Sequence, residues 1–114
     1  MPRGISDEKD EAIWLEKGSA YLELEEYNKA IECFQKAVEI NPKSVEAWFG
    51  RGVALRGLGK LHGAVACFQK AVEIDPEHGS SWIGMGMALR DLGEHGKAKK
   101  CFQKAERLAA SFRK

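Results

Sequence analysis

Apolar residues recur at steps of three and four along most of the chain, in segments separated by short polar turns. Between residues 45 and 58 they are Val45, Trp48, Phe49, Val53, Leu55 and Leu58, and the same spacing resumes over residues 61–74. This is the period of an α-helix. Ser44 is suited to cap the first helix and Gly59 to end it, whereas Asp75-Pro76 stops the second, because the residue before a proline avoids helical geometry. Residues 45–78 are therefore predicted to form a helical hairpin.

The same pattern is copied three times with a step of 34 residues. Cys-Phe-Gln-Lys-Ala occurs at 33–37, 67–71 and 101–105, and tryptophan, glycine and alanine recur around it at the same step. A fixed period of this length indicates one structural unit that has been copied and stacked. We therefore expect a single domain over residues 1–114, built from helix pairs at 11–44, 45–78 and 79–112.

Seven positions in each repeat carry a recognisable order of residues. In the first repeat these are Trp14, Gly18, Tyr21, Ala30, Phe34, Ala37 and Pro42, and the later repeats copy them except that Leu replaces Tyr and Ala110 stands where a third proline would fall. The order and the period resemble the tetratricopeptide repeat family. The resemblance implies an all-α fold, a right-handed α-solenoid of three antiparallel helix pairs with six helices. It also implies a non-catalytic adaptor for protein–protein interaction, because first helices in this family line a concave groove that holds a peptide or helix of a partner.

The implied groove would be lined by residues of the three first helices. Mapped onto this chain they are Leu15, Ser19, Phe49, Gly50, Val53, Arg56, Ile83, Gly84, Met87 and Arg90. The apolar members are not needed for helix packing in the pattern, and apolar groups that face a groove suggest a binding surface. Gly50 and Gly84 would let a ligand backbone or aromatic ring come close. The alternative is a narrow groove in which these residues bury one another.

One specialised partner is not expected. Family members that grip the C-terminal carboxylate of heat-shock chaperones use a clamp of Lys, Asn and Arg on the concave face. The matching positions here are Leu15, Ser19, Gly50, Ser80 and Gly84, none of which can donate a charged hydrogen bond. We therefore expect no chaperone carboxylate clamp, and the partner protein or peptide is unknown.

The two ends of the array differ in charge although the net charge is only +1. Residues 1–32 hold four Lys/Arg and nine Asp/Glu, whereas residues 94–114 hold seven and two. In the last repeat Lys99 and Glu106 replace apolar residues, which a terminal repeat needs for solubility. Either these are solvated end faces, or the chain is a self-assembling scaffold, a possible homo-oligomer that uses its charged ends and the last helix, where we expect Leu108 and Phe112 to be partly exposed.

Other functional classes find little support. His62, His78 and His95 are scattered without a metal-ligand or nucleophile spacing, so no enzyme, metal or cofactor is predicted. The three cysteines, at equivalent points of successive repeats, are predicted to be small buried residues. Basic residues on the last helix are explained by the capping of the array, so no nucleic acid is expected. No apolar run reaches the ~20 residues of a membrane span and no signal-like segment is present, which leads us to expect a soluble, cytoplasmic protein.

Overall fold

A computed structural model of the chain describes residues 10–112. Within this range the chain forms six α-helices and no strands: α1 Glu11–Glu23, α2 Tyr27–Ile40, α3 Val45–Gly57, α4 Leu61–Ile74, α5 Gly79–Asp91 and α6 His95–Phe112. Each odd-numbered helix packs against the even-numbered helix that follows, and α2 and α4 pack against the first helix of the next pair. The predicted all-α stack of helix pairs is confirmed.

Local residues explain where the helices of the second repeat begin and end. The Ser44 hydroxyl accepts a hydrogen bond from the Ala47 amide at 3.2 Å, which caps α3 as predicted. Gly59 follows α3 with a φ of 78°, and Gly93 occupies the same place after α5 with a φ of 85°. In the first repeat this left-handed position is held by Glu25, whose φ is 57°. Within residues 10–112, it is the one non-glycine residue in that conformation.

The core is organised around one phenylalanine from each second helix. Phe34 is 2% exposed and Phe68 is 1% exposed. A Cβ atom at Gly18 would lie 2.7 Å from the Phe34 ring, and one at Gly50 would lie 2.3 Å from it. The Phe34 ring therefore fills the space between α1 and α3, against backbone on both sides. Phe68 sits in the same way between α3 and α5.

Trp48 and Trp82 hold the second and third hairpins to the loops that precede them. Trp48 Nε1 donates to the Pro42 carbonyl oxygen at 2.9 Å, and Trp82 Nε1 donates to that of Pro76 at 2.7 Å. Each bond joins a first helix to the loop that follows the second helix of the previous repeat. Neighbouring hairpins are thus fixed in register by a hydrogen bond as well as by the phenylalanine ring.

The third hairpin presents a charged outer face. Lys99 and Glu106 on α6 are exposed, whereas Val65 and Val72 at the same places in α4 lie against the next hairpin and are at least half-buried. Phe112 is 76% exposed, as the sequence led us to expect for an end helix. All three cysteines are free and buried.

Candidate partner-binding groove

The predicted groove residues line two adjoining cavities along α1, α3 and α5. The first, of about 470 Å³, is lined by Leu15, Ser19, Phe49 and Gly50 together with Glu16, Glu46 and neighbouring apolar residues. The second, of about 330 Å³, is lined by Phe49, Val53, Arg56, Ile83, Gly84 and Met87 together with Phe68 and Ser80. Phe49 belongs to both cavities. The two cavities thus form one groove, and Phe49 lies at its centre.

Arg90 is the predicted residue that lies outside these two cavities. It is exposed and lines a third cavity of about 670 Å³, which is formed by α5 and α6 at the C-terminal end of the array. Ile83 borders both this third cavity and the groove. Arg90 therefore stands at the junction between the groove and the end face.

Phe49 is fixed in the groove by two aromatic neighbours. Its ring centroid lies 5.8 Å from that of Phe68 in a tilted arrangement, and 5.4 Å from the imidazole of His78 in an edge-on arrangement. His78 Nδ1 lies 2.7 Å from the hydroxyl oxygen of the fully buried Ser81, within hydrogen-bond distance. Phe49 is half-buried and packs against the core, so it supports the fold as well as lining the groove. The 3.6-residue apolar period could not have indicated the contact between Phe49 and His78, because His78 lies 29 residues further along the chain.

The reason given for Gly50 and Gly84 from the sequence is wrong. They were expected to leave room for a ligand backbone or ring, but the room is taken by rings of the chain itself. A Cβ atom at Gly50 would overlap Phe34, and one at Gly84 would lie 2.6 Å from Phe68. The two glycines line the groove floor, yet their role is to admit the phenylalanine of the preceding repeat. The ring belongs to the chain itself, because stacking places the second helix of each repeat against the first helix of the next repeat.

An ion pair crosses the edge of the groove. Arg56 Nε donates to Asp91 Oδ2 at 2.9 Å, which joins α3 to α5, and both side chains are about a third exposed, at 31% and 32%. Sequence analysis predicted Arg56 as a groove residue but did not predict its pairing with Asp91. The 35-residue separation is one repeat plus one residue. This offset could have indicated the contact between neighbouring first helices.

The charges divide the groove into two halves. Glu16 and Glu46 contribute carboxylates to the cavity at the α1 end. Arg56 lies in the cavity at the α5 end, and Arg90 lies just beyond it. The apolar floor around Phe49 is therefore bordered by negative charge on one side and by Arg90 on the other, because the charge of Arg56 is offset by Asp91.

The three cysteines are the titratable groups whose pKa values are clearly shifted within residues 10–112. Burial raises the pKa of the Cys33, Cys67 and Cys101 thiols above the ordinary value, so these groups are held as neutral thiols near neutral pH. Across residues 10–112, no three His, Cys, Asp or Glu side chains are grouped so that they could hold a metal ion. In the same part of the chain, no helix is both long enough and apolar enough to span a bilayer.

Family models cover most of this architecture. Residues 18–59 match a model described as a TPR repeat, and residues 45–78 and 79–112 each match a tetratricopeptide repeat model. The chain belongs to the tetratricopeptide repeat family. Lys17 and Arg51 depart from the usual apolar residue before the glycine, and their side chains lie over the Trp14 and Trp48 rings, at 5.0 and 5.8 Å from the ring centroids. The departures are thus accommodated by cation–π contacts.

Solved tetratricopeptide repeat structures share the fold. MamA (residues 41 to the end) from Desulfovibrio magneticus RS-1 is 26% identical, with a TM-score of 0.83 over 88% of this chain and 56% of that one. The Arabidopsis OM64 TPR domain is 23% identical, with a TM-score of 0.88 over 93% and 88%. The second TPR of Spaghetti (RPAP3), bound to the HSP90 peptide SRMEEVD, is 20% identical, with a TM-score of 0.85 over 90% and 94%.

These likenesses confirm the right-handed α-solenoid architecture. The chain spans 57% to 61% of the length of three of the MamA structures that it matches. No curated protein sequence matches the chain.

Proposed function

We propose that this tetratricopeptide repeat protein is a non-catalytic adaptor that binds an amphipathic peptide or helix of a partner protein in the groove formed by α1, α3 and α5. Its structural neighbours include a domain bound to a peptide, and tetratricopeptide repeat domains are typically protein-interaction modules. The observation that carries the proposal is the largely apolar lining of two adjoining cavities that share Phe49.

The floor has apolar surface left for a partner to cover. Leu15, Val53 and Met87 are half-buried, and Ile83 is 45% exposed, although Phe34 and Phe68 already fill the spaces between the first helices. Covering apolar surface contributes about 25 cal/mol per Å². A helical ligand would present apolar residues at three- and four-residue steps to this floor, which is the usual pattern of helix-in-groove recognition.

The charges at the two halves of the groove favour a ligand of defined polarity. Glu16 and Glu46 favour basic residues over the α1 end, and Arg90 favours acidic residues beyond the α5 end. Exposed charges of this kind steer encounter and orientation more than they add affinity. We therefore propose that the preferred partner segment has an apolar centre, one basic end and one acidic end.

The groove is not suited to the carboxylate peptide held by one of its structural neighbours. The five positions that match the chaperone clamp hold Leu, Gly or Ser, which offer no charged donor. Ser19 and Ser80 are exposed, and Gly50 and Gly84 lie over phenylalanine rings. We propose that the peptide SRMEEVD is not a ligand of this chain, and measurable binding of that peptide at the groove would contradict this part of the proposal.

The test uses peptides selected from a displayed library on the parent protein, with affinities measured by isothermal titration calorimetry. Met87→Glu places a carboxylate in the apolar cavity that Met87 lines, and burying it under a ligand is costly. We expect the selected peptides to bind this variant at least about tenfold more weakly than the parent, which is about 1.4 kcal/mol. Phe49 is avoided because it packs on Phe68.

The matched control is Ala66→Glu. Ala66 is exposed on α4, away from the two groove cavities, and the substitution makes the same change from an apolar residue to a carboxylate. Affinity should match the parent for Ala66→Glu. If the selected peptides bind Met87→Glu as tightly as they bind Ala66→Glu, the groove is not the binding surface.

Self-assembly is a second candidate function, and the C-terminal end of the array favours it. The third cavity, between α5 and α6, is lined in part by Ala98, Phe102, Ala105 and Ala109, and Phe112 is 76% exposed nearby on α6. Apolar surface of this kind at the end of a repeat array is a candidate contact between copies.

A further inference from the structure

We infer that two copies of this chain associate through α6 about a two-fold axis, with Lys99 of each copy paired to Glu106 of the other. The inference rests on the second candidate function, self-assembly, and is independent of peptide binding in the groove. It names the contacting helix, the symmetry and the charge pairs.

The face of α6 that points away from its own hairpin is incompletely covered. Phe34 and Phe68 are closed on their second side by Gly50 and Gly84 of the following helix. Within residues 10–112 no helix follows α6, so Gly86 is the one described glycine that closes on Phe102, and the ring remains half-exposed although it also packs against the core. Its ring lies in the cavity of about 670 Å³ at this end of the array.

A second copy cannot cover this face by stacking as a fourth repeat. Gly50 and Gly84 occupy equivalent positions in the second and third repeats. The equivalent position in the first repeat, 34 residues before Gly50, is Glu16. A Cβ atom at either glycine would already approach within 2.3 or 2.6 Å of the phenylalanine ring beneath it. Docking α1 on α6 in the same register would drive the Glu16 side chain into Phe102. Head-to-tail stacking in the repeat register is therefore sterically excluded.

The charges on α6 are complementary to a reversed copy of themselves. Lys99 and Glu106 are seven residues apart, so they share one helix face and are separated by about 10.5 Å along the axis. When two α6 helices run antiparallel about a two-fold axis between residues 102 and 103, Lys99 of each copy lies opposite Glu106 of the other. Such an interface is isologous, because the same surface meets itself.

The remaining residues of this face suit the same arrangement. The Phe102 rings of the two copies lie beside the axis, and the exposed Ala109 is small enough to let the two helices approach closely. Parallel helices would instead place Lys99 opposite Lys99 and Glu106 opposite Glu106. Like charges disfavour that orientation, so the antiparallel one is selected.

The test is sedimentation equilibrium over a range of concentrations and salt. The parent is expected to be in equilibrium between the 12.7 kDa chain and a species of twice that mass. Lys99→Glu and Glu106→Lys should each weaken dimerisation by about tenfold or more, since each puts like charges together twice. The double variant should regain the parent affinity. An equimolar mixture of the two single variants should form a heterodimer at least about tenfold tighter than either homodimer.

Lys97→Glu is the matched control for Lys99→Glu. Lys97 is exposed on the opposite face of α6 and outside the cavity, so the same charge change there should leave the dimer unaltered. Far-UV circular dichroism verifies that each variant keeps its helices.

Three results would overturn the inference. A chain that remains at 12.7 kDa at every soluble concentration refutes self-assembly and leaves the groove proposal standing. A dimer that is indifferent to both single swaps, or that is not rescued by the double variant, refutes the α6 contact alone. Assemblies that grow beyond two copies refute the closed two-fold symmetry.

Discussion

Replacement of Gly50 by alanine tests the proposition that neighbouring repeats are joined by a phenylalanine ring seated on glycine. The added Cβ would lie 2.3 Å from Phe34 Cζ and 2.6 Å from the Cε1 and Cε2 atoms. Ordinary carbon contacts are about 3.5–4.0 Å, so the ring or α3 would have to move by about 1 Å. The ring cannot retreat freely, because the Gly18 backbone lies close on its other side.

Two opposing effects set the magnitude. Alanine is a better helix former than glycine by about 0.5–1 kcal/mol, which would stabilise an unobstructed helix. Overpacking a closed core costs about 1–3 kcal/mol. The steric term is larger, so Gly50→Ala should lower the free energy of unfolding by about 1–2 kcal/mol. For a domain of this size, each kcal/mol corresponds to roughly 4–8 °C in Tm.

Urea titration followed by circular dichroism measures the effect, and two other helical glycines calibrate it. A Cβ atom at Gly96 in α6 meets nothing within 4 Å, and one at Gly63 in α4 lies 3.4 Å from the flexible Leu55 side chain. Alanine at these positions should be neutral or stabilising. Phe34→Leu should cost less in the Gly50→Ala background than in the parent, because the smaller side chain makes room for the methyl group.

The reasoning fails if Gly50→Ala is as stable as Gly96→Ala, or if the effects of Gly50→Ala and Phe34→Leu simply add. Either result would mean that the ring does not seat against the following helix. The in-register stack on which the groove depends would then be in doubt.

Two further predictions concern the turns and the cysteines. Glu25→Gly should stabilise the protein to urea by about 0.5–1 kcal/mol, because Glu25 holds the left-handed conformation that glycine adopts at Gly59; a loss of stability would contradict this, and Gly59→Ala should show the opposite sign. Burial raises the pKa of the Cys67 thiol above the ordinary 9.0, against a smaller lowering by Arg51. The folded state then binds this proton more tightly than the unfolded state, so stability falls as pH rises past about 9. Urea titrations across this range should show a smaller alkaline loss for Cys67→Ala than for the parent, and equal losses would refute the assignment.

The helices could be predicted from the sequence because two periods determine them. The 3.6-residue apolar period fixes where helices run, and the expected start of α3 at Val45 and bounds of α4 at Leu61 and Ile74 agree with the structure. Ser44, Gly59 and Pro76 mark the ends through local chemistry alone. These signals act within a few residues of the chain, so they can be interpreted without knowledge of the tertiary fold.

The groove could be located but not described in the same way. Its position follows from the family resemblance, yet the filling of the Gly50 and Gly84 spaces depends on which rotamer a distant phenylalanine adopts. The contact of Phe49 with His78 likewise joins α3 to the start of α5, with the whole of α4 between them in the chain. Such contacts depend on the angle between hairpins, which no periodicity encodes.

The two ends of the array are closed by different means, and the difference limits how copies can meet. At the α1 end Glu16 stands where the other first helices have glycine, so this end cannot receive a phenylalanine ring. At the α6 end Phe102 has Gly86 on one side but no second glycine partner within the described residues, and Lys99 and Glu106 replace the aliphatic residues that would pack against a further helix. Continued stacking would require glycine at position 16 and apolar residues at 99 and 106 together. Glu16 opposes continued stacking sterically, and Lys99 and Glu106 oppose it by their charge. The same two charges are complementary when two α6 helices run antiparallel. A contact that stops at two copies is therefore the one compatible with both ends.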